Sequence, residues 1–437
     1  MMDNTPVKLW HLLTPVQRKS AMMLLGLMLI GMLLETFSVG LVVPALAMMT
    51  QSDLAAKYPT LAPWLDSLGN PSRERLIIAG MLILVGVYAV KALFLGFLAW
   101  RQACFVAGLQ VNLSQSLFAG YLRQPYTFHL QRNSAQLILN ITTQVEHAIC
   151  ATQQGLVLIT EILVMLGISI MLLVVEPLGA LLVVSTLTLA GWSFNRLVRG
   201  HTLRWGEAGQ YHDGLRIQHL QQGLGAVKDV KLLGRESDFL AQYLLHNAGS
   251  AWVSQRLITL VALPRLWMEL LAVIGLAALV VVIIVQGKSL EVLLPTLGLF
   301  SAAAFRIVPS VNRALLSLEY VRYWSPAIGT LHSEFRLLEA TTIPQSGKPL
   351  PFRTALTLDQ ISFSYPSAEA QVLHGVSLSI PHGASVGFIG GSGAGKSTLV
   401  DIILGLLTPV SGTVKVDGVD IQTTLRSWQN QIGYVPQ

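Results

Sequence analysis

Nine consecutive residues late in the sequence carry its most specific chemistry: Gly390, Gly391, Ser392, Gly393, Ala394, Gly395, Lys396, Ser397 and Thr398. They fit the P-loop pattern G-x-x-x-x-G-K-[ST], which binds phosphate when it follows a strand and opens a helix. The glycines let successive backbone N–H groups curl around phosphate oxygens, and the helix N-terminus adds its dipole. Lys396 is placed for the β- and γ-phosphates of ATP, and the Ser397 hydroxyl for Mg²⁺. The flanks have the required character. Ser385 to Ile389 reads as a short strand, and Ser397 to Leu407 reads as a helix.

A second group of candidates lies where charge is expensive. Lys91, Arg265 and Arg306 are cations inside long apolar stretches, and Glu35, Glu161 and Glu269 are anions in similar settings. Ionisable residues inside a membrane span face a cavity or a partner. Two readings are open. One is internal pairing or snorkelling, with Arg265 and Glu269 spaced i,i+4 to pair along a helix. The other is a cationic cavity wall for an anionic headgroup, because Arg binds phosphate through paired hydrogen bonds.

The elements that must position these residues follow from composition. Of 437 residues, 52% are hydrophobic and only 12% charged, too apolar for an ordinary soluble domain. About 20 apolar residues span a bilayer. Six stretches qualify or nearly so: Ala21–Met48, Leu76–Trp100, Gly155–Val175, Leu178–Asn195, Leu257–Val285 and Val292–Val311. Glu176-Pro177 divides the third from the fourth, since proline cannot continue a helix. The apolar run after Lys8, Arg18 and Lys19 is too long for a cleaved signal and reads as a retained first span.

The gap from Arg196 to Arg256 carries Arg196, Arg199, Arg204, Arg216, Lys228, Lys231, Arg235 and Arg256, which places it in the cytoplasm. An even number of spans and a cytoplasmic P-loop then put both termini inside. The net charge of +6 belongs to this positive-inside bias, so no nucleic-acid partner is expected. Cys104 and Cys150, the two cysteines, give neither a disulfide framework nor a zinc site.

From Leu338 to Phe352 the composition turns to Thr, Pro, Gly, Ser and Lys, a linker signature. Short strands follow at Leu356–Asp359, Ile361–Ser364 and Val372–Ile380. The expected organisation is a membrane domain over 1–340, a linker over 341–353 and an α/β domain over 354–437.

The segment from Ile361 to Gln437 resembles the start of an ABC-transporter nucleotide-binding domain, through Phe363-Ser364-Tyr365-Pro366, the P-loop, Ser411 to Gly418 and Ile432 to Gln437. The resemblance implies that Tyr365 stacks on adenine and that Gln437 is the Q-loop glutamine, which contacts the metal. The family's later ATPase motifs do not occur before Gln437. ATPase and translocase activity is therefore expected of a complete protein, hydrolysis is not expected of this chain, and a fragment of a longer protein is the expected explanation.

The apolar part resembles the exporter-type ABC transmembrane domain, which implies six spans and short cytoplasmic coupling helices near Tyr126–Ser134 and His219–Gly225. A narrower similarity, to the PglK-type flippases of lipid-linked oligosaccharides, rests on Ala304 to Arg313, Val230 to Glu236, and Leu34 to Gly40 with Pro44. Leu61–Leu68 matches that group's short external helix, and a plain amphipathic interface helix is equally compatible. The fold class expected is thus an α-helical six-span membrane domain of ABC exporter type followed by a partial α/β P-loop nucleotide-binding domain. The function implied is that of a homodimeric half-transporter in a bacterial inner membrane, using ATP and Mg²⁺, surrounded by membrane lipids and moving a lipid-linked glycan. Lys91, Arg265 and Arg306 are the candidate substrate contacts. Export of a drug, peptide or simpler lipid, and nucleotide binding without transport, are the alternatives.

Overall fold

The computed structural model describes residues 5–41, 73–175, 177–285, 290–338, 350–366 and 370–435. The expected external helix at Leu61–Leu68, Pro44 and Gln437 lie outside them.

Among the described residues, the long helices are α2 (Pro15–Gly40), α3 (Arg73–Leu122), α6 (Val145–Val175), α7 (Pro177–Gly225), α9 (Glu236–Val285) and α10 (Leu290–Leu338), with a short α1 (Thr5–Leu12) in front. Local chemistry sets the start of α2. The Thr14 side chain accepts from the Gln17 backbone at 3.3 Å, the Gln17 side chain accepts from the Thr14 backbone at 3.0 Å, and Pro15 occupies the first turn. This is a reciprocal capping box with proline where no N–H is needed. α4 (Tyr126–Gln131) and α5 (Ser134–Leu139) are short, and a π-helical turn at Asn140–Gln144 joins α5 to α6.

Pro15–Gly40, Ile77–Leu122 and Ser134–Val174 are long and apolar enough to cross a membrane. Their outer faces stay apolar, with Leu82 67% and Leu93 76% exposed, as side chains facing lipid would be. The other three expected spans fall on α7, α9 and α10, helices of 49, 50 and 49 residues. α7 starts at Pro177, where the proline was expected to divide two spans.

The expected coupling segments have different outcomes. Tyr126–Gln131 is a separate short helix, but His219–Gly225 forms the last turns of α7. The short helix is instead α8 (Val227–Leu233). Ala226 leaves helical geometry before it, and Gly234 closes it in the left-handed conformation at φ 64°. Gly234 takes that conformation without Cβ strain.

The chain forms two compact units, Met1–Leu117 with Ile138–Phe335, and Phe118–Leu137 with Arg336–Gln437. In the first, Val39, Val164, Ile168, Leu172 and Ile307 bring α2, α6 and α10 together, and Leu24, Met28 and Leu98 bind α2 to α3. In the second, an antiparallel sheet of order β2-β1-β3-β4 is built from β1 (Ala355–Phe363), β2 (Leu373–Pro381), β3 (Ser411–Val416) and β4 (Val419–Asp420). Leu356, Leu358, Ile361, Phe363, Val414 and Val416 line its buried face against Leu399 and Ile402 of α11 (Lys396–Ile403) and Trp428 of α12 (Leu425–Gln429).

Two of the expected strands are one. β1 runs through 355–363 with a bulge at Gln360, whose φ is 50°. Gly412 crosses that bulge so closely that a Cβ would lie 2.4 Å from the carbonyl oxygens of Asp359 and Gln360, which only glycine allows. Leu350 and Phe352, at the end of the expected linker, already pack in this core. The Asp417 carboxylate accepts from the backbone N–H groups of Arg353, Thr354 and Ala355 at 2.7–3.0 Å, pinning the entry to β1. Desolvation opposes its ionisation, but the three donors outweigh that and hold the carboxyl below its ordinary range.

The expected strand at Ser385–Ile389 is not one. Those residues form no ladder with the described sheet, and Ile389 is fully exposed. An alternating apolar run becomes a strand only when another backbone completes its N–H and C=O groups.

Candidate functional site

The P-loop takes the shape its glycines permit. Gly393 and Gly395 stand at φ 82° and 84°, and Gly395 is the residue from which α11 begins. A Cβ on Gly395 would meet Leu373 Cδ2 at 2.8 Å and the Val372 carbonyl oxygen at 3.2 Å, so both conformation and space demand glycine there. Around Gly391 and Gly393 nothing lies within 4 Å of an added Cβ, leaving the outer side of the loop open. Gly390, Ser392 and Ala394 complete an exposed turn.

Lys396 folds back over this turn, its Nζ donating to the carbonyl oxygens of Gly390 at 2.8 Å and Gly391 at 2.7 Å. The ammonium therefore sits at the loop's mouth. Ser397 is exposed, whereas Thr398 is buried with its hydroxyl 3.0 Å from the Tyr365 hydroxyl. Of the two adjacent hydroxyls, the one expected to meet Mg²⁺ is the free-standing one. The contact also brings Tyr365, 33 residues away, onto the P-loop helix, where its ring meets Phe363 edge-on at 5.0 Å. The open cradle, the lysine and the exposed hydroxyl fit a Mg²⁺–nucleotide. Within α11, burial raises the Asp401 carboxyl above its ordinary range.

In the membrane unit the charges expected singly form a network. Arg306 on α10 grips Glu35 on α2 with both prongs, Nε to Oε2 at 3.0 Å and Nη2 to Oε1 at 3.1 Å, while Nη1 donates to Ser310 at 2.8 Å. Lys91 on α3 reaches the same carboxylate at 3.4 Å and the Ser38 hydroxyl at 3.2 Å, and its ammonium lies 4.1 Å from the centre of the Tyr88 ring. Glu161 on α6 is bonded by Arg313 at 2.5 Å, and its other oxygen lies 3.8 Å from Arg306 Nη1. Lys91, Arg306 and Arg313 thus face Glu35 and Glu161, three cations against two carboxylates.

Arg265 stands apart from this cluster, exposed and paired with Glu269 at 2.9 Å. Their i,i+4 spacing had offered that pairing as one of the two open readings. Arg313 was overlooked because it follows the last expected span, although its seven-residue offset from Arg306 puts both on one helical face. A further buried group, Glu319 with Arg322, Thr202 and Asn195, joins α10 to α7 and was also overlooked. Its only sequence signal is the i,i+3 charge pair.

Comparison with known proteins agrees with this architecture. Residues 20–305 match the ABC transporter transmembrane region family, and residues 373–437 match the ABC transporter family. The chain is 25% identical over 365 residues to a multidrug efflux ATP-binding/permease protein of Mycobacterium bovis (strain BCG / Pasteur 1173P2), covering 75% of this chain and 29% of that protein. It is 24% identical over 413 residues to the ATP-dependent lipid A-core flippase of Sodalis glossinidius, covering 93% of this chain and 70% of the relative. The structure of a bacterial Atm1-family ABC exporter with ATP bound is similar in fold, with a TM-score of 0.67, 20% identity, and coverage of 94% of this chain and 71% of that one.

Proposed function

From the premise that the chain belongs to the ABC transporter transmembrane region family, we propose that it is a half-transporter that pairs with a second copy of itself and uses ATP to move a phosphate-bearing amphiphile across a bacterial inner membrane. A nucleotide cradle following helices long and apolar enough to span a bilayer is the observation that carries this reading. Residues 1–340 form the membrane domain, 341–353 the connection and 354–437 the nucleotide-binding part, with both termini cytoplasmic. Gly390 to Thr398 hold the phosphates, Tyr365 stacks on adenine, and Ser397 with Gln437 meets Mg²⁺.

The substrate is a lipid-linked oligosaccharide. In support, Lys91, Arg306 and Arg313 exceed Glu35 and Glu161 by one positive charge, and that surplus suits a diphosphate headgroup. Arg265 is neutralised by Glu269, so of the candidate contacts Lys91 and Arg306 carry the reading, with Arg313 supplying the surplus charge. The second reading is a lipid A-type glycolipid or a drug, which the names of the two relatives favour.

Inside-out membrane vesicles from cells with the gene intact or deleted test the proposal. ATP-dependent movement of a diphosphate-linked oligosaccharide lipid should be present with the gene and absent without it. Loss of lipid A or drug movement alone would select the second reading, and no difference for any substrate would overturn transport.

A further inference from the structure

Outside the charged network and the P-loop, the densest group of ligand-type side chains among the described residues lies where α7 packs on α9, in the polar stretch between the fourth and fifth expected spans. His212 and His246 bring their Nδ1 atoms within 3.2 Å of each other across the two helices. His219, two turns along α7 from His212, also stacks on His246, with ring centres 5.4 Å apart and planes inclined by 17°. Its Nδ1 is buried and has no hydrogen-bond partner. The His212 ring occupies space left by Gly249, where a Cβ would stand 2.5–2.7 Å from three ring atoms. Tyr211 closes the group with edge contacts to His212 and His246.

We propose that His212 and His246, with His219 as a third donor, form a site for a borderline divalent transition metal such as Zn²⁺ that clamps α7 to α9. Two imidazole nitrogens on one tetrahedral Zn²⁺, each about 2.0–2.1 Å from it, stand roughly 3.3 Å apart. The Nδ1 pair is already at that spacing. As a hydrogen bond the pair uses one proton between two nitrogens and leaves the His219 Nδ1 orphaned, a costly state for a buried polar atom. A metal ion takes both lone pairs at once and gives the third a partner.

No three His, Cys, Asp or Glu side chains already converge on one point among the described residues, so two donors are preset and His219 must turn toward them, with water completing the shell. Asp213, the adjacent carboxylate, is engaged by Ser250 at 2.9 Å and Arg216 at 3.2 Å. An all-imidazole donor set selects Zn²⁺, Ni²⁺ or Cu²⁺ over Mg²⁺ or Ca²⁺, which favour oxygen.

The test is Zn²⁺ binding to the whole purified chain, produced without a histidine tag, by competition with a chromogenic chelator in excess Mg²⁺. The expected result is one Zn²⁺ per chain, affinity reduced at least tenfold in His246→Gln, a smaller reduction in His219→Ala, and no change in His382→Gln. Glutamine at 246 can still hydrogen-bond His212, so a merely structural pair would survive this change while metal binding would not. Gel filtration and circular dichroism identify any variant that fails to fold, and His219→Ala then provides the reading. Equal binding by wild type and by the His219→Ala/His246→Gln double variant, or no binding by wild type, would overturn the proposal.

Discussion

Replacing Arg306 by Met keeps much of the side-chain volume but strips Glu35 of its two best donors. The Glu35 side chain is 5% exposed and Arg306 23%, so solvent cannot take over the lost bonds. Removing one member of a buried ion pair costs about 3–5 kcal/mol, because the survivor is left as an uncompensated charge. Lys91 remains 3.4 Å from Glu35 and lessens that cost, which points to the lower end, about 3 kcal/mol, or roughly two decades in the folding equilibrium. Glu35→Gln should cost less, about 1–2 kcal/mol, because the Glu161 oxygen 3.8 Å from Arg306 Nη1 offers the guanidinium a second partner. The double variant should then be less destabilised than the sum of the singles, with a coupling of at least about 1.5 kcal/mol. Reversible unfolding of the purified chain in mixed micelles, followed by tryptophan fluorescence, measures all three changes. Additivity within about 0.5 kcal/mol would refute the reasoning, since it would mean that Arg306 and Glu35 do not share a bond that matters.

The nucleotide site and the sheet give three more expectations. Lys396→Ala should weaken binding of a fluorescent ATP analogue about 10–100-fold, the loss of charge-assisted hydrogen bonds worth about 1.5–3 kcal/mol, while membrane insertion is unchanged. Gly395→Ala should abolish that binding and lower thermal stability, because its Cβ would meet Leu373 at 2.8 Å on a backbone of φ 84°; a wild-type affinity would show that the loop relaxes freely. Because the folded Asp417 pKa lies below the unfolded 3.8, its contribution is fully present above about pH 4 and disappears as the pH falls through the lower folded value. Melting curves should therefore show Asp417→Asn less stable than wild type at pH 6, with the gap closing in acid; a gap independent of pH would rule the carboxylate out.

The sequence by itself determined what depends on neighbours along the chain. The P-loop was legible because its cradle is made by contiguous backbone, so nine residues carry both the conformation and the ligand chemistry. The long helices were legible because about twenty predominantly apolar residues satisfy a bilayer whatever surrounds them. Only the tertiary structure decided which charges meet. Arg306 and Glu35 lie 271 positions apart, and nothing local distinguishes a guanidinium held by a carboxylate from one held free for a ligand. His212 and His246 likewise become a pair only when α7 packs on α9. The strands divided on the same ground. β1 finds its partners in β2 and β3, which flank it in the sheet, although its bulge needed Gly412 opposite it. Ser385–Ile389 has the same alternation, yet among the described residues no backbone lies beside it to complete its hydrogen bonds. A helix closes its own hydrogen bonds within four residues, whereas a strand or an ion pair is completed by a partner that only the fold can bring.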